Sequence, residues 1–461
     1  MSHRKRLMVV CVAGFLAVLA TAPATVAATA PIAPPRFTMT FGTAGSGNGQ
    51  LDGPRHIATD SESRVIVADS GNNRIEIFGS DGQFATAFGA PGSADGQFDS
   101  PLGVAVDSAD RIIVADTGNN RIQIFDDNGD FLSKFGSAGS ADGQFLNAGG
   151  VTVDGQDRII VADMSNHRVE IFDSDGTFVT NFGGFGAANG QFATPSGVTT
   201  DGDDRIIVAD RNNHRVQIFD SSGDFIRAFG TFGSGPGQLA QPAAVAVDSK
   251  DRIYVMNSGG GRVQIYRRSG VFITAFGSNG TGKGQFSQPL GVAVDGADRI
   301  AVSDWELHRV QVFDYWRCNG REATLVGTNA AETLTGTPNR DVVVARAGND
   351  TISGRGGNDL ICAGAGSDVV SGGRANDRIL GGRGHDVLQG YDGKDTIVGG
   401  SGDDTVVGGG GADILKGNAH ADTIKGNAGN DVLLGGSGSD TCIGGTGVDT
   451  AGGCEATSSI P

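Results

Sequence analysis

Short apolar runs, separated by turn residues, recur along the first two thirds of the chain. In one unit they are GVAVD (103–107), RIIVAD (111–116), RIQIF (121–125) and FLSKFG (131–136). Runs of this kind predict β-strands, and no stretch beyond the first 30 residues shows a sustained helical period. An equivalent aspartate recurs every 47 residues: Asp60, Asp107, Asp154, Asp201, Asp248 and Asp295. Four strands per unit predict one blade of a β-propeller, and six units predict six blades.

The two ends of this region indicate a closed ring. The sixth unit stops after RVQVFDYW (309–316) and lacks its fourth strand. The segment FTMTFG (37–42) matches that missing strand, which is FATAFG (84–89) in the first unit. We therefore expect the N-terminal strand to complete the sixth blade, which would leave no open sheet edge. A linear solenoid is the alternative arrangement.

From residue 327 the pattern changes to a nine-residue repeat, G-G-x-G-x-D-x-U-x, in which U is large and apolar; one copy is GGSGDDTVV (399–407). Two such repeats make one coil of a parallel β-roll, so aspartates 18 residues apart should stack in two rows. The apolar residues, such as Leu388 and Leu433, should point the other way into a thin core. The chain is therefore predicted to be all-β, a six-bladed propeller followed by a parallel β-roll.

The nonapeptides have the chemistry of a calcium site. Glycine permits tight turns that direct backbone carbonyls inward, aspartate adds a carboxylate, and Ca²⁺ prefers six to eight oxygens. The candidate ligands are thirteen aspartates in register: Asp341, Asp350, Asp359, Asp368, Asp377, Asp386, Asp395, Asp404, Asp413, Asp422, Asp431, Asp440 and Asp449. Stacked carboxylates repel one another without cations, so we expect binding and folding to be coupled. Turns in which Ala375 or His420 replaces glycine should bind more weakly.

Two family resemblances follow from these motifs. GQFDSPLGVAVDSADRIIVADTGNNRIQIFDDNGDFLSKFG (96–136) resembles an NHL repeat, which implies a six-bladed propeller over residues 37–316. NHL relatives include amidating lyases, RNA- and protein-binding proteins and extracytoplasmic sensors, so the resemblance implies a fold more than an activity. Residues 327–455 resemble the RTX, or haemolysin-type, calcium-binding repeat, which implies several Ca²⁺ ions as cofactor. Residues 317–326 are then a linker.

The first 28 residues have the features of a signal peptide. A basic segment (3–6) precedes an apolar run (7–20) and small-residue cleavage sites (21–28). An uncleaved anchor is the alternative, but the apolar run is short for a membrane span. We therefore expect a secreted protein, extracellular or on the cell surface, with no transmembrane segment in the mature chain.

Four cysteines remain beyond the signal peptide, and an even count in a secreted chain suggests two disulfides. Three pairings are possible. We favour Cys318–Cys362 and Cys442–Cys454, because each pair brackets one end of the C-terminal region. Zinc binding by the four cysteines is the alternative, although no C-x-x-C spacing is present.

Net charge limits the partners of the propeller. The formal charge of −17 would repel nucleic acid, and no basic patch is visible in the sequence. A protein or a carbohydrate is therefore the expected partner.

Residues that recur in every blade suit a framework better than a single pocket. The pair Asp69 and Arg74 recurs in this way, except that blade 5 has Asn257 with Arg262. The pair should join the two strands of a hairpin, with a ring of anion-binding arginines as the alternative. Positions that break the repeat on one loop face are the ligand candidates: His56, Met164, His167, Arg211, His214, Trp305, Glu306 and His308.

The alternative function is a propeller enzyme, a metal-dependent lyase or hydrolase with a channel site. Only His56 should lie near the channel mouth, so we favour a binding module.

Overall fold

A computed structural model describes residues 32–458, and the structure is all-β apart from three single-turn 3₁₀ segments, Ser70–Asn72, Arg211–Asn213 and Ser258–Gly260. The predicted signal peptide (1–28) lies outside the described residues. No helix within residues 32–458 is long and apolar enough to cross a membrane.

Six antiparallel four-stranded sheets form the propeller, which confirms the predicted fold. The strands of blade 1 are Pro54–Thr59, Val65–Asp69, Arg74–Phe78 and Phe84–Phe88. The strands of blade 2 are Val104–Val106, Ile112–Asp116, Arg121–Phe125 and Phe131–Phe135. The strands of blade 3 are Ala148–Val153, Ile159–Asp163, Arg168–Phe172 and Phe178–Gly183. The strands of blade 4 are Pro195–Thr200, Ile206–Asp210, Arg215–Phe219 and Phe225–Phe229.

The strands of blade 5 are Pro242–Val247, Ile253–Asn257, Arg262–Tyr266 and Phe272–Phe276. Blade 6 contains Pro289–Val294, Ile300–Asp304 and Arg309–Asp314, and its fourth strand is the N-terminal Arg36–Phe41. The ring therefore closes as predicted, and the Phe41 ring lies 4.6 Å from the Phe78 ring of blade 1. A short parallel ladder, Ser278–Asn279 with Gln285–Phe286, lies in the loop between blades 5 and 6.

The propeller core lies between neighbouring blades. The second strand of each blade is buried along its whole length, because another blade covers each of its faces. Ile66 and Ile77 of blade 1, for example, share one apolar cluster with Val114 of blade 2. A four-stranded sheet with two apolar faces is stable only in such a ring, which is why the blade is repeated.

The C-terminal region is a parallel β-solenoid of about seven coils with two eight-stranded sheets. The first sheet contains Leu325–Val326, Val342–Val344, Leu360–Ala365, Arg378–Arg383, Thr396–Ser401, Ile414–Ala419, Val432–Ser437 and Thr450–Gly452. The second contains Thr333–Thr335, Thr351–Gly356, Val369–Arg374, Val387–Asp392, Thr405–Gly410, Thr423–Ala428, Thr441–Thr446 and Ala456–Ser458. Paired residues are 18 apart, and residues such as Leu388 and Leu433 form the thin buried core between the sheets, as predicted.

Residues 317–326, which we expected to be a linker, are ordered structure. Arg317–Cys318 and Arg321–Glu322 form a small antiparallel ladder, and Leu325–Val326 already pairs with the next strand of the solenoid. Glu322 binds Arg252 of blade 5 at 2.8 Å. The apolar pattern is too short to predict these strands, because each has only two residues.

Both predicted disulfides are present. Cys318–Cys362 joins the small ladder to the first sheet of the solenoid. Cys442–Cys454 closes the C-terminal end, where Cys442 occupies an apolar core position of the repeat. Cys318–Cys362 therefore lies near the first coils, on the side of the first sheet that faces away from the solenoid core, and Cys442–Cys454 lies near the last coil.

Candidate functional site

The repeated aspartates of the solenoid lie in two stacked rows. From Asp359 onward, the Oδ1 atom of each accepts a hydrogen bond from the backbone N–H of the aspartate 18 residues earlier, and Oδ1 of Asp350 accepts from the Glu332 N–H. The Asp368 N–H donates to Asp386 at 2.9 Å, and the Asp386 N–H donates to Asp404 at 2.9 Å. The thirteen side chains are between 1% and 3% exposed, so they lie inside the turns rather than on the surface.

The second carboxylate oxygen of these aspartates has no hydrogen-bond donor. Within the described chain this holds for the Oδ2 atoms of Asp350, Asp359, Asp368, Asp377, Asp386, Asp395, Asp404, Asp413, Asp422, Asp431, Asp440 and Asp449. Asp341, in the first coil, differs because its Oδ2 accepts from the N–H and the hydroxyl of Thr337. Burying a charged oxygen without a partner is costly, so twelve repetitions of that arrangement point to a partner such as a cation.

Glycine places backbone oxygens beside these carboxylates. A Cβ atom added at Gly381 would lie 2.5 Å from Oδ2 of Asp386 and 2.5 Å from the carbonyl oxygen of Gly399. The repeat therefore needs glycine there, and the carboxylate and a carbonyl from the next coil face the same small space. Mixed carboxylate and carbonyl oxygens are the ligands that Ca²⁺ prefers, so these residues fit the ion that the repeat implies.

The pKa values of aspartates in the two rows are raised, as expected for buried carboxyl groups. Burial, together with the charges of the neighbouring Asp377 and Asp341, raises the pKa of Asp359 to about 8, although the Asp341 N–H bond opposes the shift. Burial also raises the pKa of Asp377 to about 7 and that of Asp404 to about 7. Without a cation, these carboxyl groups would therefore hold protons near neutral pH.

Side chains alone do not complete a metal site. Between residues 32 and 458 no group of three or more histidine, cysteine, aspartate or glutamate side chains could hold a metal ion. The reason is that each coil adds one aspartate to a row. Most ligands of a cation in the rows would therefore have to be backbone carbonyls, which explains the glycine content of the turns.

The recurring aspartate and arginine of the propeller form a framework. The Asp69 carboxylate accepts from the Asp52 N–H at 2.6 Å, from Asn72 at 2.8 Å and from Arg74 at 2.8 Å. Arg74 also donates to the carbonyls of Ser46, Gly47 and Gln50 in the preceding blade-to-blade loop. The pair therefore fixes the incoming loop as well as its own hairpin.

Three of the candidate histidines belong to the same framework. The Nδ1 atoms of His167, His214 and His308 each accept a backbone N–H at 3.1 Å, from Thr194, Gln241 and Gly53 respectively.

In blades 1 and 2 the Oδ1 atoms of Asn73 and Asn120 make the equivalent bonds, at 2.6 and 2.9 Å. All five residues have a positive φ. Histidine and asparagine are interchangeable there because both tolerate this backbone conformation and offer an acceptor. Glu306 accepts from the Ser287 hydroxyl at 2.6 Å and joins the outer loops in a similar way. These side chains are therefore not part of the channel mouth.

The other four candidates lie around the channel mouth. His56 is buried at the start of blade 1, and burial, with Arg55 and Arg211, lowers its pKa to about 4. The Trp305 ring lies 5.5 Å from the Arg55 guanidinium. Met164 lies over Gly149, since a Cβ added there would be 2.6 Å from the Met164 sulfur. The structure therefore places a cation beside an aromatic ring, and Met164 contributes an apolar group from blade 3.

Sequence analysis missed Arg55 as a member of this group. Its equivalents in the other blades are uncharged: Leu102, Gly149, Ser196, Ala243 and Leu290. The presence of a charge at this one position of the repeat could have identified Arg55 from the sequence. Below the mouth, the central channel has a volume of about 200 Å³ and is lined by small and β-branched residues of the six first strands. Charged side chains are thus confined to the mouth.

Comparison with known families agrees with both halves of the structure. Residues 98–125, 145–172 and 286–313 match the NHL repeat, and residues 198–266 match a 6-bladed beta-propeller. The RTX calcium-binding nonapeptide repeat matches residues 326–361, 335–370, 363–388, 389–419 and 416–451. The chain is therefore an NHL-repeat propeller followed by RTX repeats, and those repeats indicate calcium binding.

Individual proteins resemble only parts of the chain. Protein lin-41 of Caenorhabditis elegans is 54% identical over 46 residues, which is 10% of this chain and 4% of that protein. Virginiamycin B lyase from Staphylococcus aureus is 14% identical, with a TM-score of 0.43, over 61% of this chain and 98% of the lyase. A gluconolactonase from Xanthomonas campestris is 14% identical, with a TM-score of 0.45, over 62% of this chain and 97% of that protein.

Proposed function

We propose that this is a secreted calcium-binding protein in which several Ca²⁺ ions occupy the two aspartate rows and the solenoid folds as they bind. The propeller serves as an extracellular binding module for a protein or a carbohydrate. The twelve buried Oδ2 atoms without donors are the observation that carries the calcium part of the proposal.

Calcium would provide a partner for the buried Oδ2 atoms of the solenoid. The core is only one apolar residue thick, and the buried carboxylates beside it repel one another when ionised. When bound, Ca²⁺ supplies the positive charge that neutralises these rows. The chain's own residues orient the oxygens: the aspartate N–H groups hold Oδ1, and glycine turns place carbonyls near Oδ2. The two disulfides suit an oxidising, extracellular compartment.

The propeller supports a binding role better than a metal-dependent reaction. A metal-dependent lyase or hydrolase with a channel site would use several histidines together. The Nδ1 atoms of His167, His214 and His308 already accept backbone N–H groups between blades. His56 lies in the first strand of blade 1, and its neighbour Arg55 contacts Trp305, an aromatic residue of the kind that dominates binding surfaces.

A calcium titration of the full chain tests the first half of the proposal. The protein is stripped with EDTA, and far-ultraviolet circular dichroism is followed as CaCl₂ is added, with MgCl₂ as the control. We expect a cooperative gain of β-signal in the millimolar range or below with calcium alone. A spectrum that calcium leaves unchanged would contradict coupled folding.

A binding screen tests the second half. Immobilised extracellular proteins and glycans are probed with the wild-type protein and with Trp305→Ala, both saturated with calcium. We expect specific partners that the variant loses. Equal recovery of every partner by both proteins would remove the mouth as the binding surface.

A further inference from the structure

Two groups of cationic side chains in the propeller differ in how their charge is balanced. The larger group surrounds a cleft of about 510 Å³ between blades 4 and 5, lined by Arg205, Arg227, Lys250, Arg252, Arg267 and Arg268. Carboxylate groups form ion pairs with the cations that line this cleft. Arg252 pairs with Asp248 and Glu322, and Arg268 with Asp203 and Asp251. The cleft therefore needs no ligand to compensate its charge.

The smaller group, Arg55 and Arg211 at the channel mouth, has no such compensation. Neither guanidinium has a hydrogen bond or an ion pair to any residue between 32 and 458, and the Nε atom of Arg55 is buried without an acceptor. Both side chains are partly buried. A partly buried cation without a counter-ion costs stability, so evolution toward stability alone would not favour two of them.

The two arginines come from opposite blades of the ring. Arg55 opens blade 1 and Arg211 follows the second strand of blade 4, and blades 1 and 4 are opposite in a ring of six. Their charges interact, since Arg211 contributes to lowering the pKa of Arg55. An anion bound by both guanidinium groups would compensate their charge.

The rest of the mouth suits the organic part of a ligand. Trp305 stacks beside Arg55, Met164 lies over Gly149, and burial keeps His56 uncharged at neutral pH. Arginine binds carboxylate and phosphate in a planar, two-bond geometry. An aromatic ring and a thioether offer flat and adaptable apolar contacts beside it.

We propose that the channel mouth binds a small organic anion whose carboxylate or phosphate is held between Arg55 and Arg211, with its ring or apolar part against Trp305 and Met164. This inference rests on the proposed function of the propeller as a binding module and names the chemistry that it recognises. A small ligand is favoured over a polyanion because the chain carries a net charge of −17.

Calorimetric titration of the calcium-saturated full chain tests the proposal. The probes are benzoate, glucuronate and phenyl phosphate, and benzamide is the neutral control. We expect saturable binding of at least one anionic probe and none of benzamide. Arg55→Gln and Arg211→Gln should each weaken binding by about tenfold or more, because each loses a charge-assisted bond. Arg227→Gln, in the neutralised cleft, should bind like the wild type.

The three anionic probes also distinguish the source of the charge. Preference for benzoate indicates an aromatic or peptide-like acid, preference for glucuronate an acidic sugar, and preference for phenyl phosphate a phosphorylated ligand. Absence of saturable binding for all three, or equal binding by Arg55→Gln, Arg211→Gln and wild type, would overturn the proposal.

Thermal unfolding without ligand provides a second, independent readout. If the two arginines serve an absent anion, Arg211→Gln should leave the melting temperature of the propeller unchanged or raise it, because it removes an uncompensated charge. Arg215→Gln, which breaks the framework pair with Asp210, should lower it. A loss on Arg211→Gln as large as that on Arg215→Gln would show that Arg211 is framework.

Failure of this inference and failure of the proposed function have different signatures. Binding of small anions without capture of any extracellular protein or glycan would leave the anion site intact and remove the macromolecular partner. Capture of a partner that persists in Arg55→Gln and Arg211→Gln would support the binding module and overturn the anion site.

Discussion

The propeller and the solenoid both repeat a buried aspartate once per unit, and they use it in opposite ways. In the propeller, both oxygens of Asp69 are occupied, by the Asp52 N–H and by Asn72 and Arg74. In the solenoid, Oδ1 of Asp386 accepts one N–H and its Oδ2 has no donor. Repetition alone therefore does not separate framework from binding site.

The difference lies in unused hydrogen-bonding capacity. A buried acceptor that the chain satisfies itself stabilises the fold, whereas one that the chain leaves open costs stability until a ligand fills it. By this criterion the Asp–Arg pairs of the blades are structural, and the rows of the solenoid are the proposed binding site. The same criterion separates Arg74, which has four acceptors, from Arg55, which has none within residues 32–458.

The largest expected effect comes from breaking a framework pair. Asp116→Ala would leave the buried guanidinium of Arg121 without its carboxylate and remove the acceptor for the Asp99 N–H. Loss of one partner of a buried pair costs roughly 3–5 kcal/mol. Urea unfolding of the full chain should show this loss in the propeller transition with or without calcium. A loss that appears only in calcium would contradict the framework role.

Two glutamates replace a glutamine of the blade framework and should make the stability of the propeller depend on pH. Glu76 and Glu170 stand where the other blades have glutamine or its equivalent, such as Gln123. Gln123 accepts the Gly96 N–H and donates to the Gln97 carbonyl, but Glu76 accepts from Gly49 and leaves its second oxygen without a donor. Burial raises the Glu76 pKa from 4.5 to about 7, with Asp69 also raising it and Arg74 opposing.

The sign of the pH effect follows from that shift. Because the pKa is higher in the folded state, the contribution of Glu76 to stability is present below pH 4.5 and is lost as the pH rises through about 7. Glu76→Gln should therefore stabilise the propeller by up to about 3 kcal/mol at about pH 8, and much less at about pH 5. Thermal melts at the two pH values measure the difference; a gain that is equal at both would contradict protonation of Glu76.

Substitution of an aspartate in the two rows should lower the stability of the solenoid only when calcium is present. Asp386→Asn removes the carboxylate charge, and we expect it to cost the solenoid roughly 1–3 kcal/mol in calcium and little in EDTA. Asp392→Asn, an exposed aspartate in the same coil, is the matched control. Chemical unfolding with and without calcium distinguishes them. Equal effects of the two substitutions would mean that the rows are not the site.

The smallest effect concerns the turns that lack glycine. Ala375 has a φ of 77° and His420 a φ of 83°, both in the left-handed region that favours glycine. Ala375→Gly should relieve strain and stabilise the calcium-bound solenoid by about 1 kcal/mol. The midpoint of the calcium titration should shift to lower concentration. An unchanged or higher midpoint would contradict the expectation that these turns weaken binding.

Much of the fold could be predicted because it is periodic. A period of 47 with four apolar runs determined the blade, and the missing strand in the sixth unit determined the closure of the ring. The period of nine determined the two aspartate rows, and the cysteine positions led to the observed disulfides. Such predictions succeed because each unit repeats the same local packing.

The candidate site could be predicted only in part, because the residue type that makes the same inter-blade hydrogen bond changes from blade to blade. His308 looks exceptional beside Asn73, yet its Nδ1 makes the same inter-blade bond. The sequence does not show that the Arg55 guanidinium lacks a hydrogen-bond acceptor. Its relation to Arg211 and Trp305, which belong to other blades, is also visible only in the structure. The free Oδ2 atoms of the rows likewise depend on the stacking of coils.

Hydrogen–deuterium exchange of the full chain, with and without calcium, tests the central contrast most directly. We predict that peptides from the solenoid exchange rapidly in EDTA and become strongly protected in calcium, whereas peptides from the propeller keep the same protection in both conditions. Solenoid peptides that are equally protected with and without calcium would contradict the account, since the aspartate rows would then be satisfied by the chain alone.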